Sequence, residues 1–482
     1  MATIVANLTP LHTAETITGA VGNKPVLDNE IFKQGSNSVG FTVTQNKVSG
    51  LSFTSVDLTG EHVRLWYTST TFPNMQSKAN GGLRFYIKGG GNTAYWNIAG
   101  NDTYFGGWLN IVVDVDSTPD AGSFDKTAVT EIGVEITVST TPRNAVNTWI
   151  DYARYGDGLT AYGATEFGLE EIFQDDLANG YGIVEKIESV FFLSGAITLG
   201  DAAGSNVCNY KDSGETIVFT DKAVSAELYA FNGAGNATGD TDIVIESCAI
   251  KTAGPNFDFH MEAAAIESFE LKGSAITGAH EVLLSGNSVV EGNTFNACGE
   301  ISPGLAYFHD NTITNSYATN ALIWAGITGD IEDCVFTGNI NAIVIADAVD
   351  QTFVGLTFSG NTADVNNTSG SAIEVAKTSG SNPVTSTGSG VTFTSAVGFE
   401  LTNLVAGTEV RVFTGTAGAS AVAIGGIESS GTTFSMSHSS DGVAGFYVLI
   451  KPGYVYQKVT LTFSALDASY PVQQRIDNNY KA

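Results

Sequence analysis

Four stretches of similar pattern decide the fold of this chain: GNTFNACGEI (residues 292–301), DNTITNSYAT (310–319), EDCVFTGNIN (332–341) and VGLTFSGNTA (354–363). In each stretch one large apolar residue precedes a small polar turn. These apolar residues recur at intervals of 18, 23 and 22 residues and are Phe295, Ile313, Phe336 and Phe358. A repeat of about 20 residues built from short β-segments is typical of a β-solenoid, in which neighbouring coils bury one another.

The repeat continues upstream with looser spacing through Ile250 and Ile276. We therefore predict a parallel β-helix over residues 190–395, with coils of about 21 residues. The alternative is a second antiparallel sandwich, but sandwiches do not repeat side-chain types at fixed spacing. Cys248 and Cys334 occupy equivalent contexts, IESCAI and IEDCVF, and we predict that they are small buried residues stacked on each other. The four cysteines form no CxxC pair, which disfavours a zinc site.

Residues 1–160 contain a series of apolar-rich segments separated by Gly, Asn or Pro. In LNIVVDVDS (residues 109–117), Ile111, Val113 and Val115 alternate with side chains that point the other way. Several such segments in succession predict an antiparallel, jelly-roll-like β-sandwich.

Three further segments complete an all-β prediction. Residues 161–189 are expected to form a helical plug or junction, because apolar residues recur there every three to four positions. They are Phe167, Leu169, Ile172, Phe173 and Leu177. The composition of residues 378–390, TSGSNPVTSTGSG, predicts a linker. Residues 396–482 are expected to form a small C-terminal β-sandwich of six or seven strands and a polar tail.

The stretch WIDYARYGDGLTAYG (residues 149–163) allows two interpretations. Its aromatic rings, its carboxylates and Arg154 are typical of a binding or catalytic site. The same residues are also typical of a strand that ends in a turn at GDGL. We favour the second interpretation, with Trp149, Tyr152 and Tyr155 half-buried and with Asp151 or Asp157 satisfied by local hydrogen bonds.

The charge excludes one class of partner. The chain has 21 basic and 50 acidic residues and a net charge of −29. Nucleic-acid binding requires Lys and Arg to replace the counterions of phosphates, so we expect no nucleic-acid partner. The sequence also lacks an apolar run of about 18 residues, and we expect no membrane insertion. We see no signal peptide at the N-terminus, and no nucleotide-binding or metalloprotease motif predicts a cofactor.

Two carboxylates are candidates for catalysis. Asp310 and Asp333 each precede the apolar residue of their repeat by three positions. Equivalent positions in adjacent coils lie about 4.8 Å apart. Such a pair would suit the acid and base of a polysaccharide-cleaving enzyme. The alternative is that both are turn carboxylates that accept backbone hydrogen bonds.

Two other candidate sites lie in the predicted sandwich. Tyr95 and Trp96 would form a glycan-binding surface if their loop presents them, because aromatic faces stack on sugar rings; otherwise both rings belong to the core. The spaced carboxylates of DVDSTPDAGSFD (residues 114–125) are oxygen ligands suited to calcium. The candidate calcium ligands are Asp114, Asp116 and Asp120.

The chain resembles bacteriophage virion proteins of the tail-fibre, tailspike or capsid-appendage type. The resemblance is carried by NTWIDYARYGDGLTAYG (residues 147–163), by the repeats quoted above, and by the C-terminal segments LTNLVAGTEVRVFTGT and FYVLIKPGYVYQKV. It implies a homotrimer of right-handed parallel β-helices, made in the host cytoplasm and exposed on the particle surface. The implied partners are other virion proteins and host-surface polysaccharide.

We therefore expect a non-enzymatic virion structural protein that binds host glycans. One alternative is a tailspike depolymerase, a glycoside hydrolase or polysaccharide lyase acting through Asp310 and Asp333. A second alternative is a bacterial surface adhesin, which the absence of a visible export signal disfavours.

Overall fold

The computed structural model describes residues 2–43, 47–69, 83–99, 107–136, 146–220, 230–235, 240–252, 257–284, 287–324, 330–377, 380–395, 397–415, 421–438, 443–463 and 468–477. The chain divides into two compact units, Met1–Ala306 and Tyr307–Ala482. In the described part, no helix is both long enough and apolar enough to cross a membrane.

The first unit begins with twelve strands. They are β1 (Thr3–His12), β2 (Ala20–Gly22), β3 (Val26–Asp28), β4 (Ser38–Val43), β5 (Lys47–Val56), β6 (His62–Ser69), β7 (Leu83–Gly89), β8 (Asn92–Ala99), β9 (Leu109–Asp114), β10 (Ala121–Gly122), β11 (Val129–Ile136) and β12 (Val146–Phe167). A 3-10 turn, Lys126–Ala128, precedes β11.

These strands form the predicted antiparallel sandwich. One sheet has the order β3-β4-β12-β6-β9, and β1 pairs with the second half of β12. The other sheet has the order β10-β8-β7-β11-β5-β2. Alternate side chains point between the sheets, and Val39, Phe85, Ile132 and Ile150 are fully buried there.

Strand β12 passes from the sandwich into the solenoid. Residues 148–151 and 154–155 pair antiparallel with β6, with a register shift between them, whereas residues 158–161 pair parallel with residues 196–199. The predicted turn at GDGL is therefore wrong: a β-bulge accommodates the Gly156–Asp157 step and the strand continues. Gly156 has φ +127°, and a Cβ at this position would lie 2.1 Å from the carbonyl oxygen of Asn7. Only glycine fits this position without displacing β1.

A single helix, α1 (Leu169–Asn179), follows β12 in the described part of the chain. It buries Leu169 and Ile172, and it ends at Gly180 in the left-handed conformation, φ +64°. The apolar stripe is narrower than predicted, because Phe167 belongs to β12 and Leu177 is 52% exposed.

The helix is followed by the coils of the solenoid in the first unit. Their strands are β13 (Val184–Ile187), β14 (Val190–Leu193), β15 (Ala196–Leu199), β16 (Cys208–Ser213), β17 (Thr216–Phe219), β18 (Ala230–Gly233), β19 (Thr241–Glu246), β20 (Ala249–Thr252), β21 (Phe257–Met261), β22 (Ser268–Lys272), β23 (Ala275–Thr277), β24 (Ala279–Leu284), β25 (Ser288–Glu291), β26 (Thr294–Asn296) and β27 (Glu300–Ser302).

These strands stack as three parallel ladders: β15-β18-β21-β24-β27, β16-β19-β22-β25 and β14-β17-β20-β23-β26. The repeat predicted from the sequence is in register in the last ladder, where Ile250 pairs with Ile276 and Ile276 with Phe295. All three side chains are fully buried. The parallel β-helix is therefore confirmed in this unit.

The second unit opens with further coils. Their strands are β28 (Tyr307–His309), β29 (Thr312–Thr314), β30 (Asn320–Trp324), β31 (Asp330–Glu332), β32 (Val335–Thr337), β33 (Asn341–Ile345), β34 (Gln351–Phe353), β35 (Thr357–Ser359), β36 (Ala363–Asn367), β37 (Ile373–Lys377), β38 (Ser386–Gly388) and β39 (Val391–Ser395).

The repeat is in register here as well. Ile313 pairs with Phe336 and Phe336 with Phe358, and the two phenylalanine rings stack with centroids 5.2 Å apart. The prediction of a linker at residues 378–390 is wrong where the structure describes it. Strand β38 pairs in parallel with β36, so these Gly- and Ser-rich residues form part of a coil. Their small side chains suit an exposed edge of the coil, since all three residues of β38 are exposed.

The chain ends in the predicted small C-terminal β-sandwich. Its strands are β40 (Val397–Thr402), β41 (Glu409–Thr414), β42 (Val422–Ile427), β43 (Thr433–His438), β44 (Ala444–Ile450), β45 (Gln457–Thr462) and β46 (Ala468–Pro471). The sheets β43-β40-β46 and β42-β41-β44-β45 enclose a core that includes Phe399, Leu401, Val412 and Leu449. The fold is all-β, as predicted.

Candidate functional site

An open groove of about 350 Å³ lies where β12 passes from the sandwich into the solenoid. We call it the junction groove. Its walls come from β1, the loop before β6, β12 and β15. The residues that line it are Asn7, Thr9, Glu61, Tyr155, Gly156, Asp157, Gly158, Ala196 and Thr198. Four residues of the stretch WIDYARYGDGLTAYG thus line a concave site.

The bulge in β12 directs Asp157 into this groove. Asn7 pairs with Gly158 and Leu8 with Gly156, so Asp157 has no partner residue in β1. Its Oδ1 lies 3.1 Å from Nδ1 of His62, and Nε2 of His62 lies 3.6 Å from Oδ1 of Asp114. His62 is almost fully buried, whereas the Asp157 side chain is 49% exposed. The buried imidazole therefore orients a carboxylate that faces solvent.

Glu61 supplies a second carboxylate to the same groove. Partial burial raises the pKa of Glu61, and the negative charge of Asp157 raises this pKa further. Tyr155 is half-buried at the groove and packs against the sandwich core, while Asn7 and Thr198 contribute an amide and a hydroxyl. Carboxylates and amides hydrogen-bond to hydroxyl groups, and an aromatic face stacks on an apolar ring surface. The groove therefore has the chemistry to hold a carbohydrate.

Two buried arginines lie in the strands that adjoin the groove, Arg64 in β6 and Arg154 in β12. Arg64 donates from Nε to the carbonyl oxygen of Gly156 at 3.2 Å, and from Nη2 to that of Ser194 at 2.6 Å. Arg154 donates from Nη2 to the carbonyl oxygen of Gly180. Burial, together with the charge of Arg64, lowers the pKa of Arg154 to about 10. These guanidinium groups join the sandwich to the segments that begin the solenoid, and they serve the structure of the junction.

Asp151 also serves the junction. It is fully buried, and its Oδ2 accepts hydrogen bonds from the backbone N–H groups of Lys33 at 2.8 Å and Gln34 at 2.9 Å. The hydrogen bonds of Asp151 come mainly from this distant segment, and the backbone of the adjacent Tyr152 also contributes. The expectation of local hydrogen bonds is wrong for Asp157, whose partner is His62. Trp149 is also more buried than expected, since only 7% of it is exposed.

The burial of Asp151 predicts a pH dependence of stability. Burial raises the pKa of Asp151 from its usual 3.8 to about 6. The proton is bound more tightly in the folded state, so the contribution of this group is complete below about pH 4 and is lost as the pH rises through 6. The Asp151→Asn variant lacks this titrating group. Between about pH 4 and pH 7, we therefore expect its unfolding free energy to rise by up to about 3 kcal/mol relative to that of the parent. Urea unfolding at both pH values measures this; a difference that does not vary with pH contradicts it.

Asp310 and Asp333 do occupy the same position of adjacent coils, because the residues before them, His309 and Glu332, are paired. Both backbones are left-handed, with φ of 55° and 53°, and the following coil has Gly355 at this position with φ of 65°. Asp, Asn and Gly are the residues that tolerate this conformation. The left-handed turn explains why aspartate occurs at both positions. A catalytic role for Asp310 and Asp333 stays a prediction.

The two predicted glycan-binding residues are not presented together. Trp96 is 4% exposed and lies in the sandwich core, where its Nε1 donates to Oγ of Ser117 at 2.9 Å. Tyr95 is partly exposed, and its ring lies 4.3 Å from the guanidinium carbon of Arg84. Trp96 is therefore a core residue, which was the alternative to glycan binding.

The three candidate calcium ligands point to different partners. The Asp114 carboxylate accepts from the backbone N–H of Asp116 at 2.7 Å, and Asp116 pairs with Nζ of Lys126 at 2.7 Å. Asp120 accepts from the backbone N–H of Asn97 at 2.6 Å. Within the described ranges, no three His, Cys, Asp or Glu side chains are grouped so that they could hold a metal ion.

The cysteines of the repeats are buried but do not stack on each other. Cys248 aligns with Ser274 of the next coil, whose Oγ accepts from the backbone N–H of Cys248 at 3.0 Å. Cys334 aligns with Leu356. The repeat places both cysteines at the same position of a coil, but the adjacent coils carry other residues there. Burial raises the pKa of the Cys248 thiol to about 11, which makes it unreactive near neutral pH.

A second cleft, of about 220 Å³, includes Trp66, Trp108, Phe173 and Leu177 in its lining. The ring of Trp66 is almost fully buried, and its Nε1 donates to the carbonyl oxygen of Gly180 at 3.0 Å. Trp66 therefore joins the sandwich to the end of α1, and the cleft is more apolar than the junction groove.

Comparisons with known proteins give little further information. No family model matches the sequence, and no curated protein is similar to it. Among solved structures, the chain has a likeness to a family 11 carbohydrate-binding module from Clostridium thermocellum, solved in complex with a β-1,3-1,4-mixed-linked tetrasaccharide. The match covers 31% of this chain and 96% of that chain, with 12% identity and a TM-score of 0.21. A likeness at this level carries no argument about function.

Proposed function

We propose that this chain is a non-enzymatic structural protein of a bacteriophage virion and that it binds host-surface glycans in the junction groove. The observation that carries the glycan-binding role is the groove itself, an open concave surface that Glu61, Asp157 and Tyr155 line together. The virion role rests on the resemblance of the sequence and is consistent with an all-β chain that joins two β-sandwiches to a parallel β-helix.

The groove suits an extended sugar chain. Most of its walls are strands rather than loops, so the polar groups are held in place before a ligand arrives. The bulge and His62 fix the carboxylate of Asp157. A site that is organised in advance loses less conformational entropy on binding.

Glycan binding is tested by replacing Tyr155, whose partly exposed side chain lines the groove. We expect Tyr155→Ala to weaken binding to a host-type polysaccharide by about tenfold or more, since an aromatic contact contributes about 1 kcal/mol beyond its buried area. The measurement is binding to an array of bacterial surface polysaccharides, followed by calorimetry on the glycans retained. Tyr162→Ala is the matched control, because Tyr162 lies in the same strand outside the groove. The absence of binding to every polysaccharide, or equal losses in both variants, would count against the proposal.

The virion role predicts a trimer. Three copies would present three grooves, and multivalency would raise the affinity for a repetitive surface without new contacts. The net charge of −29 would keep neighbouring appendages from associating. We expect light scattering to give three times the chain mass of 50.3 kDa. We also expect a slow-migrating band on an unheated SDS gel. A monomer in solution would rule out the trimeric appendage.

A further inference from the structure

We propose that the junction groove selects glycans that carry positively charged amino groups, such as chains of 2-amino-2-deoxy sugars, over neutral and acidic glycans. This inference rests on the proposed function and specifies the ligand of the same site.

The charges that face the groove are negative. Its lining contains the carboxylates of Glu61 and Asp157, and no Lys or Arg among the residues that the structure describes. Two buried basic side chains adjoin these carboxylates. His62 is 4% exposed, and its Nδ1 lies 3.1 Å from Oδ1 of Asp157. Arg64 is almost fully buried and donates to the backbone oxygen atoms of Gly156 and Ser194. A ligand in the groove would therefore meet carboxylate oxygen atoms, not the guanidinium.

The two carboxylates of the groove repel each other. The negative charge of Asp157 raises the pKa of Glu61, in addition to the effect of burial. An ammonium group placed between them would neutralise this repulsion and donate hydrogen bonds to both. A neutral hydroxyl group offers the hydrogen bonds alone, whereas a uronate would add a third negative charge.

The remaining groups favour a sugar over a simple cation. Tyr155, the hydroxyl groups of Thr9 and Thr198 and the amide of Asn7 line the same groove as the carboxylates. Because Nδ2 of Asn7 already donates to Oγ1 of Thr160 at 3.1 Å, its oxygen atom is positioned by the protein. These groups match the apolar ring face and the hydroxyl groups of an amino sugar.

The test compares three oligosaccharides of equal length by calorimetry on the full chain. They are a β-1,4-linked glucosamine oligomer, its fully N-acetylated counterpart and an oligogalacturonide, at a mildly acidic pH where the amines are charged. We expect the glucosamine oligomer to bind at least about tenfold more tightly than the N-acetylated one, since a hydrogen bond to a charged group contributes about 1.5–3 kcal/mol. We also expect this preference to weaken with added salt.

Substitutions test whether the two carboxylates of the groove cause the preference for the charged oligomer. Glu61→Gln keeps the shape of the side chain, and we expect it to reduce the preference by about tenfold; Asp157→Asn is a second variant with the same expectation. Glu166→Gln removes one charge from an exposed position of β12 outside the groove and controls for the overall charge. Equal affinities for the charged and N-acetylated oligomers would overturn the selectivity and leave glycan binding intact. Tightest binding of the galacturonide, or an equal loss in Glu166→Gln, would also overturn it. Failure of all three oligomers to bind overturns the selectivity as well, and glycan binding itself is then judged by the polysaccharide array.

Discussion

Replacing Asp176 by alanine is expected to lower the free energy of unfolding of the first unit by about 3–5 kcal/mol. The carboxylate is 2% exposed and accepts hydrogen bonds from the backbone N–H groups of Gly182, Ile183 and Val184 at 2.7–2.8 Å. Its removal would leave three buried donors without an acceptor, and each orphaned group costs about 1–3 kcal/mol. The segment that enters the solenoid would lose the contacts that hold it to α1.

Urea unfolding followed by tryptophan fluorescence measures this effect. Four of the five tryptophans of the chain lie in the first unit, at positions 66, 96, 108 and 149. Asp175→Ala is the matched control, because Asp175 is the adjacent carboxylate of α1 and is only partly buried. A loss below about 1 kcal/mol for Asp176→Ala, or equal losses in the two variants, would show that this carboxylate does not hold the junction together.

Replacing Phe336 by alanine is expected to destabilise the coils of the second unit by about 3–5 kcal/mol. The side chain is fully buried and lies between Ile313 and Phe358 of the neighbouring coils. Each coil of a solenoid is stabilised mainly by its neighbours, so a cavity at one coil weakens two interfaces. The loss should therefore extend to the backbone of β29 and β35.

Hydrogen exchange of the strand amides tests both the size and the spread of this loss. We expect β29, β32 and β35 to exchange faster together, because local openings follow cooperative units. The control is Val335→Ala, one residue away, where the side chain is 38% exposed. Faster exchange confined to β32, or equally fast exchange in the control, would argue against nearest-neighbour coupling of the coils.

The solenoid is predictable from the sequence because the repeating residues contact one another in adjacent coils. Ile250, Ile276 and Phe295 recur along the chain since each is buried by its counterpart in the next coil. The continuation of β12 is not predictable in the same way. Gly156 and Asp157 are equally suited to a turn and to a bulge, and the choice depends on pairing with β1, about 150 residues earlier in the sequence.

The candidate site is predictable only in part. Asp157 and Tyr155 lie in a stretch whose composition suggests a site, but Glu61 and Thr198 reach the groove from distant segments and have no sequence signal of their own. Among 50 acidic residues, no spacing distinguishes Glu61 from the rest. Asp310 and Asp333 show the opposite case, because a regular spacing that suggests catalysis follows from the left-handed turn of each coil.

The continuity of β12 has a consequence for a protein that is pulled. A pull along the axis of β12 passes through one covalent strand, because residues 148–151 and 154–155 pair with β6 and residues 158–161 pair with β15. The hydrogen bonds of both ladders run across this strand, so a pull along its axis loads them in shear and all must break together. A flexible hinge at the same place would instead let the ladders peel apart one bond at a time. Within the first unit, a pull along β12 is thus carried past the junction groove by one continuous strand.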